Sequence, residues 1–124
     1  MGVSAGQIAF AEELFAGLGC RARRMFGGAG LYAEGVMFGM INSAETIQLK
    51  VDPELSADLE AEGSVEWVYT YLSGPKTGQS IPMGYWSLPE CALDDPDLAT
   101  KWGRRALQVA LRAQVAKPVR KPRR

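Results

Sequence analysis

Residues 23–33, RRMFGGAGLYA, decide how the chain is read. They are strand-like, with a glycine interruption at Gly27, Gly28 and Gly30, and a Glu34-Gly35 turn signal leads into a second run, VMFGMI, at residues 36–41. After a turn at 42–45, TIQLKV at 46–51 alternates cleanly. Ile47, Leu49 and Val51 share one face and Gln48 and Lys50 the other, which is the pattern of a half-buried strand. Three strands joined by short turns predict an antiparallel meander.

Outward from this centre the chain reads as helix and strand in turn. Upstream, Ser4 to Leu18 is a helix with Ser4 as N-cap, Gln7 at the capping-box spacing and Ile8, Ala11, Phe15 and Leu18 as its apolar stripe. Gly19 ends it. Downstream, Asp52-Pro53 opens a short helix that Gly63 closes. EWVYTYL at 66–72 and SIPMGYWSL at 80–88 are two more strands, and Pro82 marks the second as an edge or a bulge. Asp94-Asp95-Pro96 opens a last helix running to about Val115, with Leu98, Trp102, Ala106, Val109 and Ala113 as its core stripe. The predicted fold class is α+β: a two-layer sandwich in the order α-β-β-β-α-β-β-α, with a five-stranded antiparallel sheet. Residues 1–116 form one domain, and 117–124, KPVRKPRR, form a basic tail too polar to order itself. The run at 36–41 is apolar on both faces, with Val36, Phe38 and Met40 on one and Met37 and Ile41 on the other. Such a strand has both faces covered. The expectation is a homodimer, and the alternative is helices on both sides.

Composition narrows the function. Hydrophobic residues make up 47% and charged residues 23% of the 124, which excludes a disordered or collagen-like chain. No apolar run approaches the ~18 residues of a membrane span, and no basic segment leads into an apolar run at the start, so the expectation is a cytoplasmic protein. Histidine is absent. This removes Ser-His-Asp and Cys-His catalysis and every histidine metal site. Cys20 and Cys91 stand far apart and read as reduced, inert thiols. No metal site, no cofactor and no enzymatic activity are expected. Net charge is zero, yet all nine charges from Lys101 onward are basic, while the first 100 residues hold all fourteen acidic residues and only five basic ones. Such asymmetry points to an anionic partner. Weak, non-specific DNA association is one use of this charge; contact with the acidic body is the other.

The stretch Arg24-Met25-Phe26-Gly27-Gly28-Ala29-Gly30-Leu31-Tyr32 resembles the most recognisable motif of the TfoX/Sxy N-terminal domain family. Val36-Met37-Phe38, Leu49-Lys50-Val51, Tyr85-Trp86-Ser87-Leu88-Pro89 and the helix after Leu93-Asp94-Asp95-Pro96 continue the resemblance in the family's order, over roughly residues 4 to 113. The resemblance implies a helix-flanked antiparallel sheet similar to secretion chaperones, in a cytoplasmic bacterial protein. It implies a regulator of competence genes that acts with a transcription activator or the transcription machinery, not an enzyme. Named members carry a second, C-terminal domain, and this chain is read as the N-terminal one alone.

The glycine cluster has neither dinucleotide-fold nor P-loop spacing, and a strand rather than a helix follows it, so it is read as backbone geometry and not as a phosphate cradle. Trp67, Tyr69 and Tyr71 share a face near Tyr85 and Trp86. They suit core packing first, with a protein interface or base stacking as the other uses. Arg21, Arg23 and Arg24 are the one basic cluster outside the C-terminal segment. With Lys50 they form a small anion site or pair with carboxylates of the body. The working surface is assigned to Arg23, Arg24, Lys50, Tyr85 and Trp86, with Arg120, Lys121, Arg123 and Arg124 adding electrostatic attraction to nucleic acid. The reading is a non-enzymatic regulatory or adaptor domain acting through protein contacts; the alternative is a small-ligand or peptide-binding module.

Overall fold

The computed structural model describes residues 3–25 and 27–116; the tail at 117–124, with Arg120, Lys121, Arg123 and Arg124, lies outside the described residues. The elements are α1 (Ala5–Leu14), β1 (Arg21–Met25), β2 (Gly28–Ala33), β3 (Val36–Ile41), β4 (Ile47–Lys50), α2 (Pro53–Ala61), β5 (Glu66–Thr70), β6 (Ser80–Ser87) and α3 (Pro96–Ala116). Short 3-10 turns follow α1 at Ala16–Leu18 and precede α3 at Glu90–Ala92.

The α+β class and the antiparallel sheet hold, but the sheet has six strands in the order β1-β2-β3-β4-β6-β5, not five. The helix–strand order is therefore α-β-β-β-β-α-β-β-α. The stretch at 23–33 is a hairpin rather than one interrupted strand: Met25 pairs with Gly28, and Gly27 takes φ +78° in the turn. A side chain disfavours that left-handed backbone and glycine does not, so the chain reverses here. Gly28 is a close backbone approach, since a Cβ there would run into the Ile41 carbonyl, and a bulge lies between Leu31 and Tyr32, in the β2–β3 pairing.

The caps form as their residue types dictate. The Ser4 hydroxyl accepts from the Gln7 amide at 3.0 Å, but the Gln7 side chain donates to the Glu45 carbonyl instead of closing the box. The Asp52 carboxylate accepts from the Leu55 amide at 2.8 Å at the start of α2, and the Asp95 carboxylate from Leu98 at 3.1 Å at the start of α3. Gly19 closes the turn after α1 with φ 72°.

Among the described residues, the three helices pack against one face of the sheet. Ala11, Leu14 and Phe15 from the α1 segment, Leu55 and Leu59 from α2, and Ala99, Ala106 and Leu107 from α3 bury against Ala29, Leu31, Phe38, Ile41, Ile47 and Leu49. Phe15 meets Phe38 edge-on, with ring centroids 5.4 Å apart. The buried side of α3 is rotated from the predicted stripe, since Ala113 is exposed and Ala99 and Leu107 are buried. The β2–β3 bulge also overturns the expected faces of β3: the extra residue Phe38 puts Met37 and Met40, three residues apart, together on a half-buried second face, while Ile41 joins Val36 and Phe38 in the core. The aromatic strand β5 lies at the sheet edge and is largely exposed, so Tyr69 is not a core residue.

Candidate functional site

Strand register sorts the candidate residues onto two faces. Cross-strand partners share a face. Arg21 pairs with Tyr32, Arg23 with Gly30, Tyr32 with Met37, Gly30 with Met40, Met40 with Gln48, and Lys50 with Tyr85. These residues form the open face, opposite the helix-covered core, and the C-terminal end of α3 reaches its rim. Arg24 pairs with Ala29, and Trp86 with the buried Leu49, so both belong to the helix-covered face.

The five assigned residues therefore divide. Arg23, Lys50 and Tyr85 come together on the open face. The Arg24 guanidinium donates to the Val3 carbonyl and Val3 donates to Gly27 at 3.1 Å, which ties the N-terminal segment to the first hairpin. Trp86 is half-buried and packs against the core.

On the open face, cations lie over rings. The Arg23 guanidinium is 5.9 Å from the Tyr32 ring centre, and the Lys50 ammonium is 5.7 Å from that of Tyr85. Trp67 meets Tyr85 edge-on at 6.3 Å. Such stacking holds a long basic side chain against the sheet while its charge faces solvent. Burial pushes the Tyr85 hydroxyl above its ordinary pKa, and the neighbouring Tyr32 adds to the shift. Tyr85 is thus a neutral hydrogen-bonding group at neutral pH.

Met25, Met37 and Tyr32 converge above Gly30. A Cβ there would lie 2.8 Å from the Met37 sulfur and 2.9 Å from Cε1 of Tyr32, so glycine leaves room for these side chains to lie on the sheet. Gln48 sits on the same face, only 4% exposed, and its Oε1 has no hydrogen-bond partner among the described residues. At one end of the face a cavity of about 300 Å³ opens between Met37, Lys50 and Tyr85 on the sheet and Ala110, Ala113 and Gln114 on α3. Among the described residues of the six strands, no carboxylate lies on this face; Glu66, the one acidic strand residue, pairs with Trp86 on the other.

Tyr32, Met25, Met37, Met40 and Gln48 carry no local sequence signal that marks them as site residues. Period-two alternation groups Met25 with Arg23 and Gln48 with Lys50, but it separates Met37 from Met40, which only the β3 bulge brings onto one face. Trp67 is conspicuous in the sequence as an aromatic, and the β5–β6 pairing is what sets it beside Tyr85.

Two basic residues of α3 are engaged within the fold. Arg105 pairs with Asp58 at 2.8 Å and Arg112 with Asp52 at 3.1 Å, both across to α2. The Leu55 amide, with help from Arg112, holds the Asp52 carboxyl below the usual carboxylate range. Lys101 and Arg104 are exposed. Among the described residues no cluster of His, Cys, Asp or Glu could hold a metal, and no helix is long and apolar enough to cross a membrane.

No curated protein matches the chain significantly. The family model of the TfoX N-terminal domain matches residues 13–110, from the end of α1 through most of α3 and including every strand. With that match over most of its length and the hairpin motif at its centre, the chain belongs to the TfoX N-terminal domain family.

Proposed function

We propose that this domain is a non-enzymatic regulatory adaptor in the cytoplasm that binds a protein of the transcription apparatus through the open face of its sheet. The observation that carries this reading is the pairing of Arg23 with Tyr32 and Lys50 with Tyr85 on a face that holds no strand carboxylate. A half-buried field of tyrosine, tryptophan and methionine is the composition of a protein interface. Its cations select the partner: an extended acidic segment, whose carboxylates meet Arg23 and Lys50 while its apolar residues lie on Tyr32, Met37 and Tyr85. DNA takes second place, because Arg105 and Arg112 are engaged with α2. Lys101, Arg104 and the segment from Lys117 supply the remaining attraction, which is weak and salt-sensitive.

Fluorescence anisotropy with a labelled acidic peptide containing aromatic residues tests the reading, with duplex and single-stranded DNA as competitors. The wild-type chain is expected to bind the peptide. The Arg23→Ala/Lys50→Ala variant should bind it ~tenfold or more weakly, as the loss of about 1.4 kcal/mol requires, with its melting temperature unchanged. Equal binding by the variant, or DNA displacing the peptide at low concentration, would overturn it.

A further inference from the structure

The two edges of the sheet differ in how they meet solvent. β1 carries Arg21, Arg23 and Arg24 in five residues, and edge charges of this kind keep a strand from pairing with another chain. β5, the opposite edge, has no lysine, arginine or proline, and its one charge is Glu66 at the start. From Trp67 to Met83 the only charged residue is Lys76. This arm is nonetheless in water: Val65 is 67% exposed, Val68 43%, Tyr69 47%, Leu72 86% and Ile81 42%. β5 packs mainly against β6.

The backbone of β5 is set up to accept another strand. The Tyr71 amide donates to the Gln79 carbonyl at 2.9 Å, so Tyr71 and Tyr69 turn their polar groups toward β6. In an antiparallel ladder the alternate residues turn theirs away, which places the N–H and C=O of Val68 and Thr70 at the free edge. Pro82 lies opposite Val68, where no donor toward β5 is needed.

We propose that β5 is a dimer edge: two copies of this chain pair β5 with β5 antiparallel, centred on Val68, to join their sheets. In this register Val68 faces Val68, Trp67 of one copy opposes Tyr69 of the other, and Glu66 opposes Thr70, so no like charges meet. The tip of each arm, with Leu72, comes alongside Val65 at the base of the other, covering the two most exposed apolar residues of the stretch. A second copy is the occupant because self-pairing centred on Val68 sets apolar and aromatic residues against one another, brings no like charges together and covers the exposed Leu72 and Val65. The arginines of β1 oppose head-to-tail stacking of β1 on β5, so the assembly closes as a two-fold dimer and does not grow into a filament. This inference is independent of the acidic-partner reading, which concerns the open face.

Sedimentation equilibrium of the full chain, with Val68→Lys and Val68→Glu variants, tests it. The wild type is expected to be a dimer. Either variant alone sets two like charges opposite each other at the two-fold axis and should raise the dissociation constant ~tenfold or more. An equimolar mixture of the two should dimerise again, which a merely misfolded variant cannot do. Amide exchange at Val68 and Thr70 should slow as wild-type concentration rises. A monomeric wild type, a Lys variant that dimerises as well as wild type, failure of the mixture to associate, or open-ended assembly would each overturn the proposal.

Discussion

Cys20 and Cys91 are alike in sequence and opposite in chemistry. Cys20, directly before β1, is buried, and burial, with Glu12 nearby, pushes its thiol up to about 12. Cys91 is exposed. Because the thiolate is the nucleophile, iodoacetamide at neutral pH should label Cys91 and spare Cys20 in the folded protein, as mass spectrometry of the intact chain will show. Equal labelling would mean that the first hairpin opens readily. Asp52 carries two duties, the α2 cap and the Arg112 pair. Replacing it with Ala should cost about 1 kcal/mol, within the range for lost caps. Asn keeps an acceptor for the Leu55 amide and should cost less. The folded-state pKa of Asp52 is lowered, so its charge stabilises the fold above the unfolded carboxylate value, and that stabilisation is lost as pH falls through the folded value. The melting-temperature gap between wild type and Asp52→Asn should therefore close in acid; a gap constant with pH would remove the charge from the explanation.

Among the elements, α3 shows how packing overrides propensity. Gly103 lies mid-helix, where glycine costs about 1 kcal/mol relative to alanine. Yet a Cβ at this position would come within 2.9 Å of Leu18 and of the Phe15 ring. Glycine here lets α3 press against the turn that follows α1. Gly103→Ala should destabilise the protein by roughly 1–3 kcal/mol in urea unfolding, the usual cost of overpacking. A stabilised variant would show that this contact is loose. The same tension explains which elements were legible in advance. The helix starts at Asp52-Pro53 and Asp94-Asp95-Pro96 and the alternation of residues 46–51 are local signals, and they appear where the chain places them. The turn at Gly27 lacked an Asn-Gly or Asp-Gly signature, so two strands looked like one with a break.

At the scale of the molecule, placing every helix on one side leaves a sheet face and a sheet edge with different chemistry. The face combines rings and cations, and the edge strand with its arm combines exposed apolar side chains with one lysine. An acidic segment held by Arg23 and Lys50 should lose affinity as salt rises, since exposed charges are screened beyond ~8–10 Å at ordinary ionic strength. Association through β5 should be largely insensitive to salt. Measuring both against ionic strength separates the two surfaces in one preparation.

The local features followed from the sequence alone: the caps, the alternating strand at 46–51, the α+β class, the family motif and the missing histidine. Each depends on a residue's own backbone preference or on neighbours within a turn. The candidate site was half legible. Arg23, Lys50 and Tyr85 share the open face, while Arg24 and Trp86, of the same chemistry, lie on the helix side. Adjacent residues in a strand point to opposite faces, so naming neighbours such as Arg23-Arg24 or Tyr85-Trp86 together joins side chains that the sheet separates. Only the tertiary structure decided which face the helices cover and that β5, not β6, is the edge, because register and strand order depend on contacts between residues far apart in the chain.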